Sequence, residues 1–288
     1  MNGANPNLVS TEWLAAHLGA PGLAIVDASW YLPTEQRDPA AEFRAAHIPG
    51  AVFFDIDEIS DKSSGLPHML PSPVAFSSAM RNLGIGDGMK IVVYDGAGLF
   101  SAARVWWTFR AFGVSEVAIL DGGLPKWLAE GHPVEEGEPI RQPRHFTARL
   151  NHGLVASADD VRDALAKGPA KGGAQIVDAR SAPRFTGDEL EPRPGLRSGH
   201  IPTSRNLPWR DLIVDGRLLP AEALRQLSDK AGVDLSRPII TTCGSGVSAA
   251  IVALALAAIG KDHVPVYDGS WSEWGLRADL PIEFGPAK

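Results

Sequence analysis

The feature that most constrains this 288-residue chain is an internal repeat. "LAIVDAS" around Asp27 returns as "AQIVDAR" around Asp178, and "AAHIPGA" at His47 returns as "SGHIPTS" at His200. "IVVYDGAGLFSAARV" returns as "IITTCGSGVSAAIV", which pairs Asp95 with Cys243. "AILDGGLPKW" returns as "VPVYDGSWSEW", which pairs Asp121 with Asp268 and Trp127 with Trp274. The four motifs recur in the same order, at offsets of 147 to 153 residues. A fold built for this chain must therefore be built twice.

Inside each copy, short Val/Ile-rich runs alternate with helical patterns. Continuous apolar strands separated by helices call for parallel strands buried on both faces. Right-handed crossovers place helices on both sides of such a sheet. The expectation is an α/β protein of two tandem domains, 1–135 and 154–288, each a mainly parallel sheet with helices on both faces. The polar, proline-broken stretch 136–153 reads as a linker.

Charge and cysteine usage narrow the function classes. Lys and Arg total 27 against 34 Asp and Glu, a net charge of −7 that gives no general surface for nucleic acid. One cysteine forms no internal disulfide, and no Cys/His spacing suits a zinc finger, so no metal is expected. "AAIVALALAAIG" is too short to span a bilayer, and residues 1–19 lack the basic and apolar regions of a leader. No membrane partner is expected, and a reducing cytoplasm is the expected compartment.

The single thiol, Cys243, ends the β-prone run "RPIITT" and precedes a long apolar helix. Ligand chemistry in parallel α/β sheets belongs at such strand ends. A thiol is a nucleophile only as thiolate. In "CGSGVSA", Gly244 and Gly246 are expected at φ > 0, turning successive N–H groups inward as an anion cradle. A helix from near Val247 adds its positive end, and Ser245 and Ser248 add hydroxyls. The sister loop has Asp95, Ala97 and Phe100 in place of Cys243, Ser245 and Ser248, so only the second copy keeps a nucleophile. The plain alternative is a small buried apolar cysteine.

Two other readings of the loop fail. "GSGVSA" matches a dinucleotide fingerprint but lies too close to the end of the sequence to open a nucleotide domain. A cysteine phosphatase needs an arginine six residues after its cysteine, where this chain has Ala249.

"CGSGVSA", the paired "HIPG"-type motifs, "DASWYLP" and "YDGSWSEW" together resemble the rhodanese superfamily in its tandem-domain form, over about residues 8–280. The uncharged Gly244 and Ser245 resemble its 3-mercaptopyruvate branch, since thiosulfate-type members usually carry basic residues there. The resemblance implies sulfur transfer from 3-mercaptopyruvate through a Cys243 persulfide to a thiol acceptor such as thioredoxin, or to cyanide, with release of pyruvate. A thiosulfate sulfurtransferase and a non-catalytic rhodanese-like interaction module are the alternatives.

The resemblance also assigns residues. Arg184 and Arg193, in "APRFTGDELEPRPGLRSGHIP", match the family's carboxylate-binding arginines; the alternative is two solvated arginines on a loop. Substrate contacts also fall on Gly244, Gly246, Val247 and Ser248. Ser245 matches a serine that acts with a histidine and an aspartate, for which His47 and Asp38 are the candidates. Against that role, the "HIP" motif of His47 recurs at His200, as a structural turn would. His68, in "LPHMLP", matches a family stretch without an assignable chemistry. Asp27 and Asp178 are duplicated and so read as structural. Trp274 reads as core because Trp127 persists in the other copy, and Trp271 reads as core or pocket wall. Thr203 stands where the motif has glycine, and a left-handed backbone there strains it.

Overall fold

The computed structural model describes residues 5–287, so residues 1–4 and 288 of the two expected domains lie outside it. In chain order the first copy contains β1 (Leu8–Val9), α1 (Thr11–Ala16), β2 (Leu23–Asp27), α2 (Pro39–Ala45), β3 (Ala51–Phe53), α3 (Pro73–Asn82), β4 (Lys90–Tyr94), α4 (Ser101–Ala111), β5 (Val117–Leu120) and α5 (Gly123–Ala129). The second contains β6 (Val155–Ala156), α6 (Ala158–Lys167), β7 (Gln175–Asp178), α7 (Ala182–Thr186) and β8 (Arg205–Asn206). Two-residue strands β9 (Ile213–Val214) and β10 (Arg217–Leu218) then flank an Asp215–Gly216 turn. The chain continues with α8 (Ala221–Lys230), β11 (Ile239–Thr242), α9 (Ala249–Ala258), β12 (Val266–Tyr267) and α10 (Ser270–Trp274).

The repeat seen in the motifs is a repeat of topology. One sheet has the order β1-β5-β4-β2-β3 and the other β6-β12-β11-β7-β8, with every pairing parallel. Both faces of each sheet are covered, which is why the strands read as unbroken apolar runs. In the first sheet Ile25, Val92 and Tyr94 pack with Leu14, Phe43 and Trp127. In the second, Ile176, Ile240 and Tyr267 pack with Val161, Trp271 and Trp274. Helix α9 is buried along its whole length except its last residue, so its all-round apolar sequence is that of a core helix. Among the described residues no helix is long and apolar enough to cross a membrane.

The compact units do not follow the repeat boundary. Residues 62–69 of the first copy belong to the second unit, and residues 215–218 of the second copy belong to the first. Most of the expected linker belongs to the first unit: Phe146 is buried against Phe76, and the amides of Arg149 and Asn151 donate to the carbonyls of Phe112 and Ala111.

Several paired positions are structural. Asp27 accepts from the amide of Ser29 and Asp178 from that of Arg180, each closing the turn after its strand. Trp127 and Trp274 donate to the carbonyls of Pro133 and Pro281, both at 2.8 Å. Thr203 has φ 60 where its counterpart Gly50 has φ 76, so the threonine holds a strained left-handed turn.

Burial raises the pKa of Asp27 to about 6, against the pull of its bonds to Ser29. A carboxyl with a raised folded-state pKa stabilises fully below its unfolded value of about 4, and that contribution is lost as pH rises through 6. A shift of two units amounts to about 3 kcal/mol. Asp27→Asn is therefore expected to gain about 3 kcal/mol on the wild type between pH 4 and pH 7. Urea unfolding of both proteins at the two pH values measures it; a constant difference refutes the account.

Candidate active site

Cys243 follows Thr242, the last residue of β11, and Thr242 pairs in register with Asp178 at the end of β7. From β7 the chain passes to β8 on one side and to β11 on the other, so the thiol sits at the switch point of the sheet. It is 2 % exposed. The loop then runs through Gly246 at φ 76 to Ser248, the residue before α9.

The first unit shows what such a loop binds. There Asp95 occupies the position of Cys243, and its carboxylate accepts from the amides of Ala97 (2.9 Å), Phe100 (2.7 Å) and Ala102 (2.8 Å). The amide of Gly96 donates to Ser29 Oγ. The loop of the first unit is an anion cradle closed on its own carboxylate, which burial nevertheless pushes above the usual aspartate range. In the second unit the matching amides of Gly244, Ser245 and Ser248 find no acceptor among the described residues. These donors stand beside the thiol.

Of the two glycines expected at φ > 0, only Gly246 adopts it. Gly244 instead leaves room for two side chains that close in on it. A Cβ there would lie 3.1 Å from Nη2 of Arg184 and 4.0 Å from Nη1 of Arg193. The two arginines, nine residues apart in sequence, thus converge on the residue after the cysteine.

Arg184 is held by a buried carboxylate. Glu191, with its side chain 1 % exposed, accepts from Nε of Arg184 at 3.2 Å, from its Nη2, and from Nη1 of Arg180 at 2.7 Å. Arg180 also donates to Asp178 and to the carbonyl of Gly199, and its guanidinium lies 4.2 Å from the centre of the Trp271 ring. Trp271 is therefore a buried wall for this network, its indole N–H donating to the Arg197 carbonyl. Charged groups this deep are tolerated because each has a partner.

Two stretches, residues 10–130 and 157–277, match the rhodanese-like domain. The chain belongs to the rhodanese-like family. It is 47% identical to the 3-mercaptopyruvate sulfurtransferase of Escherichia coli K12 over 96% of this chain and 97% of that one. It is 46% identical to an Arabidopsis thaliana protein named thiosulfate/3-mercaptopyruvate sulfurtransferase 1, mitochondrial, over 96% of this chain and 78% of the relative. The crystal structure of an Escherichia coli 3-mercaptopyruvate sulfotransferase superposes with a TM-score of 0.84 at 44% identity, covering 92% of this chain and 98% of that one.

Within this rhodanese-like chain, the expected partners of Ser245 are placed elsewhere. His47 is buried in the first unit, where Nδ1 donates to the Phe43 carbonyl (2.8 Å) and the ring stacks on Phe43. His200 repeats the arrangement on Phe185, and each histidine forms a bridge to a glutamate, Glu135 or Glu283. That duplication marks a structural motif. Asp38 is exposed and caps α2 by accepting from the amide of Ala41.

The hydroxyl of Ser245 is paired instead with Nδ1 of His68, at 3.0 Å. His68 is 5 % exposed and has φ 61, a left-handed backbone sustained at a buried, hydrogen-bonded position. Sequence reasoning had no spacing to join residues 177 positions apart; the only signal was the family-like stretch "LPHMLP".

Proposed function

We propose that this protein is a 3-mercaptopyruvate sulfurtransferase with Cys243 as its nucleophile. The observation that carries the reading is the convergence of Arg184 and Arg193 beside a cysteine loop with open amides. Arg184 and Arg193 offer two guanidinium groups at the residue after the cysteine. That matches the carboxylate of a 2-oxo acid, whose planar group suits guanidinium donors.

The Cys243 thiolate attacks the substrate's sulfur. A sulfur–sulfur bond forms, the substrate's carbon–sulfur bond breaks, and its electron pair passes to C3 as the enolate of pyruvate. Protonation at C3 releases pyruvate, and the hydrogen-bonded pair of Ser245 and His68 moves that proton. The amides of Gly244, Ser245 and Ser248 stabilise thiolate and persulfide alike. Val247 and Gly246 shape the turn that carries them. In the second half-reaction an acceptor thiolate takes the outer sulfur and returns Cys243 as thiolate, with no cofactor in either step. A small protein dithiol such as thioredoxin is the acceptor class we favour, and the cytoplasm the compartment, because persulfide turnover needs a reducing surrounding.

The name of the Arabidopsis relative joins thiosulfate to mercaptopyruvate, which motivates a second reading with thiosulfate as donor. Thiosulfate is a dianion, and no basic side chain stands at residues 244–248 to meet its second charge. The test is intact mass spectrometry after incubation with either donor. The expected result is one added sulfur on Cys243 with equimolar pyruvate from 3-mercaptopyruvate, faster than labelling by thiosulfate. Absence of both products refutes the proposal; faster labelling by thiosulfate selects the second reading.

A further inference from the structure

The Cys243 and Gly244 carbonyls are tied down by α10. The amide of Trp271 donates to the Cys243 carbonyl at 2.9 Å. Ser272 donates twice to the Gly244 carbonyl, from its amide at 2.8 Å and from Oγ at 2.7 Å. Ser270 Oγ accepts from the Cys243 amide at 3.3 Å and donates to the Tyr267 carbonyl at 2.7 Å.

A planar trans peptide points its carbonyl and its N–H in opposite directions. Holding the Cys243 carbonyl on Trp271 therefore turns the Gly244 N–H away from α10. Holding the Gly244 carbonyl on Ser272 does the same for the Ser245 N–H. These are two of the amides left open beside the thiol.

The sister unit keeps only part of this arrangement. The amide of Leu124 donates to the Asp95 carbonyl at 3.0 Å, matching Trp271. The position of Ser272 is Pro125, which has no N–H and no hydroxyl, and that of Ser270 is Gly123. Ser270 takes φ 48, where Gly123 takes φ 55. The catalytic copy thus sustains a strained serine where the other copy has the residue suited to that backbone.

We propose that Ser270 and Ser272 are positioning residues that set the direction of the Gly244 and Ser245 amides and so make the loop a donor cradle for sulfur anions. The inference rests on Cys243 being the nucleophile, but not on which donor supplies the sulfur.

The experiment uses the full chain with Ser272→Ala, Ser272→Thr and Ser270→Gly. Alkylation of Cys243 by iodoacetamide at pH 7 reads thiolate reactivity without any sulfur donor. Ser272→Ala and Ser270→Gly are each expected to slow alkylation and to lower kcat by about fivefold, the effect of one hydrogen bond. KM for 3-mercaptopyruvate should stay within about twofold, since ground-state binding is untouched. The melting midpoints should hold, because Ser272 keeps its amide bond and glycine suits φ 48. Ser272→Thr should restore the wild-type rates. Wild-type alkylation in both variants overturns the proposal, as does a loss that follows melting and persists in Ser272→Thr. If the variants slow alkylation while 3-mercaptopyruvate yields no persulfide on the wild type, the substrate reading fails and the positioning role stands.

Discussion

A Cys243→Asp variant is expected to fold, to melt no lower than Cys243→Ser, and to release no pyruvate from 3-mercaptopyruvate. The substitution recreates the residue of the sister loop, whose carboxylate accepts three amides within 2.9 Å. In the second unit the amides of Ser245 and Ser248 occupy the positions that serve Asp95. A carboxylate held there satisfies the cradle but carries no sulfur. Loss of the nucleophile removes covalent catalysis altogether, so turnover should fall by at least about 10⁴-fold. Pyruvate release and thermal melting of the two variants beside the wild type measure both halves of the claim. A folded Cys243→Asp protein with more than about 1% of wild-type turnover would sink the nucleophile assignment, since removing such a group leaves far less. A cooperative melt well below that of Cys243→Ser would sink the cradle argument instead. An interaction module without chemistry predicts a third pattern, in which even the wild type releases nothing.

The parts legible in the sequence are those carried by short-range pattern. Apolar runs of buried parallel strands announced both sheets, and the repeated motifs announced that the sheets share one order. Cys243 was legible because a strand end, two glycines and a helix start lie within seven residues. Its arginines were legible as types, but the reason for Gly244 was not, because close approach of a guanidinium leaves no local signature. His68 was hidden more deeply: residues 62–69 belong to the second unit although they lie in the first repeat. His47 misled for the opposite reason, since a histidine in a repeated motif attracts a catalytic reading while serving a fold-wide turn. In "YDGSWSEW" the tryptophans dominate the eye, yet the serines hold the loop, and hydrogen-bond direction is not written in residue type. Glu191 was one acid in an acidic stretch until burial between two arginines set it apart.

That burial separates substrate binding from stability at Arg184. Arg184→Ala is expected to lower kcat/KM for 3-mercaptopyruvate by about 10- to 100-fold, mostly through KM, because a charge-assisted hydrogen bond is worth about 1.5–3 kcal/mol. Its melting point should change little. The Arg184 side chain is 21 % exposed, and after its removal Glu191 still pairs with Arg180. Arg184→Lys should recover only part of the loss, since an ammonium offers a point charge where the guanidinium offers a planar fork. Glu191→Ala is expected to behave in the reverse order. It leaves the fully buried Arg180 with Asp178 as its one remaining carboxylate partner and frees Arg184 to move, so unfolding in urea should show a loss of about 1.5–3 kcal/mol. Wild-type kinetics in Arg184→Ala would remove that residue from the site, and equal destabilisation in the two variants would show that both belong only to the fold. A carboxylate buried between two arginines fits a division of labour in which Arg180 secures Glu191 and Glu191 aims Arg184. If Arg184 meets substrate as proposed, it is already ordered when the substrate arrives, and little conformational entropy is lost on binding.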